Sequence, residues 1–565
     1  MEWFNNLTLA YKLLVIGWAI VFIWVPYIIY SNKKHHPSAL FVLFFAELWE
    51  RFSYYGMRAL LILYMIDKGA ELMYGESHAY GIYGAYGAMV YAAPLLGGLV
   101  AEKYFGYRRA IVWGGILMAL GHFTMAFPLL SSSGIASTEF FHSITEDVFF
   151  IALGLIILGN GFFKPNISSF VGTFYKEGSE KRDRGFNLFY MGINVGAFLA
   201  PITCGAIGQD PNLSLFGEPP GSNSWHYGFA LAGIGMVAGL LVFIYGMRIG
   251  VFKENGFSPN KELLNSKVLP NATFLSKFSV KNLTYIGTFI CIPFIYLILS
   301  NSGAEDEIFK INEKKITFLD ITLFSMAMYA IYYLYTYSKS ISNIALDKMK
   351  VILFLFFYST LFWAFFELAG TAFNVYTKNN VDLSLSDWGT LAPTQFQGVN
   401  PLYIILLVPI FNLIWNKLRK NDMEPSAPMK FAIGTILLGL GFFVFPIGGV
   451  YAVDGMVPIT VLLIVYLLHT LGELCLSPVG LSLVTKLAPK QVVGFVMGFW
   501  LLSSALAHLL GKFIAQETDT GLLSRQEALE QFNGVFTSVG VYAVIAGLVL
   551  AFLSPKITKW MHGVN

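Results

Sequence analysis

Residues 38–66 read SALFVLFFAELWERFSYYGMRALLILYMI. About 20 apolar residues in a helix cross ~30 Å of hydrocarbon, and this run is longer than that. Yet it carries Glu47, Glu50, Arg51 and Arg58 in its middle. A charge at that depth costs at least ~2.5–3.5 kcal/mol on insertion scales, so such residues are retained for pairing and function. At 100° per residue, Glu47, Glu50, Arg51, Tyr54, Tyr55 and Arg58 fall within an arc of roughly 140°. From Glu47 to Arg58 the line rises ~16 Å, about half a membrane. One face of this helix meets a polar cavity and the other meets lipid or protein. A salt-bridge knot that merely joins helices would not need so long a line.

The rest of the chain agrees with a bilayer setting. Of 565 residues, 56% are hydrophobic and 13% charged, against about 25% charged in an ordinary soluble domain. Disorder, collagen-like architecture and an ordinary soluble enzyme are excluded. The net charge of +3 gives no nucleic-acid signal. Cys204, Cys291 and Cys475 are an odd number in apolar surroundings, which suggests neither a disulfide framework nor a metal cluster.

Fifteen spans are predicted, at 7–30, 38–66, 78–101, 108–130, 147–172, 185–207, 227–249, 281–300, 317–338, 350–373, 400–419, 428–448, 457–485, 491–515 and 533–557. The first is too long for a cleaved signal peptide and reads as a retained helix. Cations stay on the cytoplasmic side. With the N-terminus outside, 26 of the 37 Lys and Arg fall in inner loops, six in outer loops and five within spans. A miscounted helix would scramble that asymmetry.

Those five are Lys12, Arg51, Arg58, Lys164 and Lys512. Lys12 and Lys512 lie near outer ends and are read as snorkelling to the surface. The others are deep, as are Glu47, Glu50, Glu367 and Glu473. Lys164 precedes Pro165, which invites a kink; a buried lysine beside buried acids is proton-sensitive, since protonating the acid frees the amine. Tyr190 and Asn194 share a face, as do Glu473 and Ser477, with His469 beside them and read chiefly as packing. Cations from the N-terminal half and carboxylates from the C-terminal half suit a zwitterion. Aromatics such as Tyr54, Tyr55, Tyr83, Tyr86, Tyr190, Trp363 and Trp500 can line side-chain pockets or stack on cations, although ordinary packing accounts for many of them.

Four stretches then carry a resemblance. Glu47-Leu-Trp-Glu50-Arg51-Phe52-Ser53-Tyr54-Tyr55-Gly56 resembles the E-x-x-E-R-F-x-Y-Y-G signature of the proton-dependent oligopeptide transporters, a branch of the major facilitator superfamily. Phe189-Tyr190-Met-Gly-Ile193-Asn194-Val-Gly196 and Gly472-Glu473-Leu474-x-x-Ser477-Pro478-Val479-Gly480 resemble two more of its signatures. Gly97 to Arg109 looks like the superfamily's loop motif, with Glu102 where an Asp is usual.

The resemblance implies an all-α integral membrane protein of the major facilitator fold that works by alternating access. An extra helix and linker would occupy 1–37, one six-helix bundle 38–249, a linker with two further helices 250–349, and the second bundle with a short cytoplasmic tail 350–565. By the same resemblance Glu47, Glu50, Arg51 and Lys164 couple protons. Arg58 and Lys164 take a peptide carboxylate, and Asn400 and Glu473 its amine. Tyr54, Tyr55 and Asn194 address the peptide backbone, and Trp500 and Ser504 line a side-chain pocket. Tyr86, Tyr190 and Ser477 complete the candidate substrate set, while Arg58 and Glu367 gate. Animal members carry a helix-2 histidine where this chain has Gly84. The short 449–457 loop leaves no room for their large outer domain, so a bacterial inner membrane is expected, with the C-terminus cytoplasmic.

The expected activity is proton-coupled import of di- and tripeptides. No cofactor, catalytic residue or metal is expected; the partners are peptide, protons and membrane lipids, with no nucleic acid, and the chain is expected to be a monomer or weak oligomer. Alternatives are another amine-bearing metabolite or amino acid on the same fold, or a non-transporting sensor. A carboxylate at Glu473 argues against nitrate. No H-E-x-x-H, G-x-S-x-G or phosphate-loop pattern supports an enzyme.

Overall fold

Small residues decide how closely the helices of this protein approach. The structure is a computed structural model and describes residues 4, 6–129, 138–176, 178–215, 224–260, 264–265, 279–303, 309–311, 314–385 and 388–564. Among them are fifteen helices of 19 residues or more, one for each predicted span. They are α1 (Leu9–Asn32), α2 (Ser38–Ile66), α3 (Glu76–Val100), α4 (Tyr107–Met125), α5 (Thr138–Gly172), α6 (Glu180–Gly208), α7 (Ser224–Arg248), α8 (Val280–Gly303), α9 (Phe318–Ile341) and α10 (Asn343–Phe366). After the short α11 (Ala372–Asn380) come α12 (Val399–Lys420), α13 (Ala427–Gly449), α14 (Ile459–Leu487), α15 (Val493–Gln516) and α16 (Arg525–Trp560). Among the described residues thirteen helical runs are long and apolar enough to cross a membrane. Ser38–Ile66 and Tyr107–Met125 are not among them, as their charged residues predict. Among the described residues are also two minimal strand pairs: β1 (Phe309–Ile311) runs antiparallel to β2 (Lys314–Ile316), and β3 (Val381–Asp382) parallel to β4 (Val457–Pro458).

Contacts divide the chain into two compact units. The first holds residues 1–74, 92–300 and 384–398; the second holds 75–91, 301–383 and 399–565. In the first, α2 is the axis, buried along nearly its whole length between α6 and α7. Without a hydrophobic force between helices in lipid, close backbone approach through small residues drives their association. A Cβ on Gly196 would clash with the Leu48 carbonyl oxygen, so only glycine lets α6 come that near to α2. α1 rests on α6: Trp18 Nε1 donates to Thr203 Oγ1 at 3.0 Å, and the Tyr11 hydroxyl donates to Asp210 at 2.7 Å. Its far side, with Phe22, Ile23 and Tyr27, is exposed.

In the second unit α13 packs against α14 and α16, and α10 against α15. The span predicted as one helix over 350–373 is broken. α10 ends at Phe366, a 3-10 turn covers Glu367–Gly370, and α11 restarts at Ala372. Gly370 and Thr371 are poor helix formers, and Thr371 leaves helical geometry at φ −122°, ψ −96°. The apolar run continues past them, which is why hydropathy alone reads through the break. α5, by contrast, continues unbroken through Pro165.

Candidate functional site

In the first unit, one turn of α2 gathers its charges. Arg51 Nε lies 3.0 Å from Glu47 Oε1 and 2.5 Å from Glu50 Oε2, with all three side chains buried. The i, i+4 spacing brings Glu47 over Arg51, while Glu50 is its chain neighbour. The Arg51 guanidinium also stands 5.7 Å from the Tyr54 ring, and Arg58 5.8 Å from Tyr55. The two tyrosines meet edge to face at 5.3 Å. Tyr54 and Arg58 are buried; Tyr55 is half-buried.

Lys164, half-buried on α5, acts electrostatically on both Glu47 and Glu50, and Glu47 acts on Tyr190. Two carboxylates and two cations are thus grouped in a low-dielectric setting. Tyr190 is 53% exposed. Asn194 turns its amide onto its own helix, donating to the Tyr190 carbonyl at 3.0 Å. The loop motif folds as a π-helical turn over Ala101–Phe105. Arg108 then donates to the carbonyls of Asn255, at 2.7 Å, and Lys253, and lies 4.0 Å from the Phe257 ring.

In the second unit, Asn400 Nδ2 donates to Glu473 Oε2 at 2.9 Å and to Thr470 Oγ1 at 3.0 Å. Asn400 thereby orients the acid on α14 and leaves the second carboxylate oxygen for another donor. Glu367, Ser477, Trp500 and Ser504 line one cavity of ≈ 210 Å³. Trp363 and Tyr91 give it aromatic walls, and His508 lies against the Tyr91 ring at 5.2 Å. The combination of indoles, hydroxyls and a carboxylate suits a side chain or an amine of modest size.

Three residues depart from the sequence reading. Tyr86 is fully buried and does not line this cavity; Tyr91, five residues on, does. His508 is absent from the sequence reading, although it lies one turn beyond Ser504 and two beyond Trp500, a spacing that could have found it. Lys512 does not snorkel. It is buried and forms an ion pair with Asp320, both oxygens lying 2.7 Å from its Nζ. The partner sits in the first turn of α9, near one end of the span predicted over 317–338. His469 does pack, its ring 4.9 Å from Phe442 and 5.6 Å from Phe373.

Comparison with known proteins bears on the fold and the site together. The POT family model matches residues 108–529. The uncharacterized transporter YclF of Bacillus subtilis (strain 168) is 35% identical over 533 residues, covering 94% of this chain and 96% of the relative. A di-/tripeptide transporter of Lactococcus lactis subsp. cremoris is 33% identical over 539 residues, covering 94% and 97%. A crystal structure of a POT family transporter in complex with 5-aminolevulinic acid superposes with a TM-score of 0.71 at 29% identity, over 93% of this chain and 97% of that one. The buried Glu47–Glu50–Arg51 triplet, the Asn400–Glu473 pair, the family match and the near full-length similarity agree: the chain belongs to the POT family of transporters and has the major facilitator fold.

Proposed function

We propose that this protein is a proton-coupled symporter that imports di- and tripeptides by alternating access. The observation that carries this reading is the buried cluster of Glu47, Glu50 and Arg51 with Lys164 acting on it. When a peptide carboxylate draws Lys164, the acid pair loses a compensating cation, and taking up a proton restores the balance. Release of the peptide reverses the step. One charge moving through 100 mV contributes ~2.3 kcal/mol to accumulation.

On this reading Asn400 and Glu473 receive the peptide ammonium, and Tyr54, Tyr55, Tyr190 and Asn194 address the backbone. Trp500, Ser504 and Ser477 serve the side chains, and Arg58 and Glu367 gate. The 38–249 and 350–565 halves are the alternating elements. The protein is placed in a bacterial inner membrane as a multi-pass monomer or weak oligomer, N-terminus outside and C-terminus cytoplasmic, where the cation asymmetry of its loops supports that orientation. It needs no cofactor besides the coupling proton.

Proteoliposomes with an imposed proton gradient and labelled dialanine test this. Accumulation above the external concentration, collapsed by a protonophore, is expected. Absence of uptake for dialanine and trialanine would overturn the peptide reading and favour a sensor. A second reading, an amine-bearing metabolite as cargo, is favoured by the ≈ 210 Å³ volume of the aromatic cavity and by the related transporter bound to 5-aminolevulinic acid. Competition by that compound against dialanine separates the two.

A further inference from the structure

A second and larger cavity, ≈ 770 Å³, lies in the second unit where α12 ends, the 421–426 loop turns and α13 begins. Its lining includes three cations, Arg419, Lys430 and Lys486, and one carboxylate, Glu424. Glu424 is engaged on both sides: Arg419 donates to it at 2.7 and 3.2 Å, and Lys430 at 2.6 Å. The guanidinium has five N–H donors and the ammonium three. Arg419 commits two and Lys430 one, so both retain donors for a further anion. Lys430 also stands 4.7 Å over the Trp415 ring, which fixes its direction.

Beneath these cations the wall is apolar, formed by the buried Leu474, Cys475 and Leu483. On α12 the residues that face this cavity are Asn412, Trp415, Asn416 and Arg419. The last turn of α12 adds Lys417 and Lys420, and an indole at this level is characteristic of the membrane–water boundary. None of the residues assigned to transport lines this cavity. An amine-bearing cargo would be repelled by its net charge.

We infer that this cavity binds a phosphate-bearing anion through Arg419, Lys430 and Lys486, and that the anion is the headgroup of an acidic phospholipid whose acyl chain lies against the apolar wall of Leu474, Cys475 and Leu483. Basic pockets between transmembrane helices suit such headgroups. Arginine presents a planar fork and lysine a point charge to the phosphate oxygens. The apolar floor and the Trp415 indole in the lining argue for a lipid over a soluble anion. In the topology proposed above, this is the cytoplasmic leaflet.

Native mass spectrometry of the full-length protein, released from detergent with phosphatidylglycerol or phosphatidylcholine added, tests the site. Wild type should retain one phosphatidylglycerol in preference to phosphatidylcholine. Lys486→Gln, a change at an exposed side chain that leaves the Glu424 bonds intact, should reduce retention at least threefold, and Lys430→Gln with Lys486→Gln further. Equal retention of the two lipids, or undiminished phosphatidylglycerol in both variants, would overturn the proposal. Millimolar inorganic phosphate is the third arm. If it displaces phosphatidylglycerol from wild type, the phosphate site stands and its natural occupant is the soluble ion; if it does not, the lipid assignment stands. Melting curves of the same variants without added lipid report whether they fold.

Discussion

Lys512 Nζ stands 2.7 Å from each carboxylate oxygen of Asp320, and the two residues are 3% and 2% exposed. Asp320 Oδ2 also accepts the Thr317 backbone N–H at 2.9 Å and the Thr317 hydroxyl at 2.8 Å, so one carboxylate both caps α9 and neutralises α15. Removing one member of a buried pair strands the other charge, at ~3–5 kcal/mol, whereas removing both is far milder. Asp320→Asn and Lys512→Met should therefore each lower the unfolding midpoint sharply. The double variant Asp320→Leu with Lys512→Met should recover much of that loss, less ~1 kcal/mol for the lost cap. Melting of the purified proteins checks this; a double variant as unstable as the sum of the singles would refute the pairing.

Glu50→Gln should abolish gradient-driven accumulation while leaving peptide exchange across equal pH. The amide keeps the shape beside Arg51 but cannot cycle a proton. Countertransport of labelled dialanine in proteoliposomes separates the two activities. Concentrative uptake at the wild-type level would remove Glu50 from the coupling cluster.

Glu473→Gln should weaken uptake of dialanine at least tenfold, through loss of a charge-assisted bond worth roughly 1.5–3 kcal/mol. Competition by an N-acetylated peptide, which has no ammonium, should hardly change. Asn400→Ala should give a smaller loss in the same direction, because it frees Glu473 from its 2.9 Å bond without removing the acid. Inhibition constants for the free and acetylated peptides are the measurement, and equal losses for both would contradict an ammonium site.

Glu71, in the loop between α2 and α3, offers a pH signature. Burial alone would raise its carboxyl, but bonds from His226 at 2.9 Å and the Tyr64 hydroxyl at 3.2 Å hold it below its ordinary value. A depressed folded value stabilises above the ordinary carboxylate range, and that contribution is lost as pH falls through the folded value. Glu71→Gln should thus lower the midpoint at neutral pH, and the gap to wild type should close as the buffer is acidified below 4.5. A gap constant over that range would exclude the ionised form as its source.

Most of the architecture is legible in hydropathy, because a bilayer demands long apolar runs with every backbone group satisfied within the helix. The α2 triplet is legible for a related reason: residues one turn apart on a single helix meet whatever the tertiary fold. Where the meeting depends on two distant segments, the reading stops. Asp320 and Lys512 are 192 positions apart, and a lysine near the end of a span can snorkel or pair equally well on sequence alone. The break after Phe366 escapes for another cause, since Gly370-Thr371 is a weak local signal inside a strong apolar one. Tyr86 and Tyr91 differ by little more than one turn, and packing alone chooses which of them borders the cavity.

Gly84 lets the Lys512 stem lie against α3, where a Cβ would come 3.1 Å from both the Lys512 Cδ and the His508 carbonyl oxygen. With Asp320 completing the arrangement, the segment inserted between the two halves has ceased to be a detachable module. Excising 280–341 would leave a bare ammonium in hydrocarbon, and transplanting it into a relative would import an acid without its counterpart. Aspartate, lysine and glycine therefore have to be gained or lost as one trait, so natural variation at these three positions should come in sets.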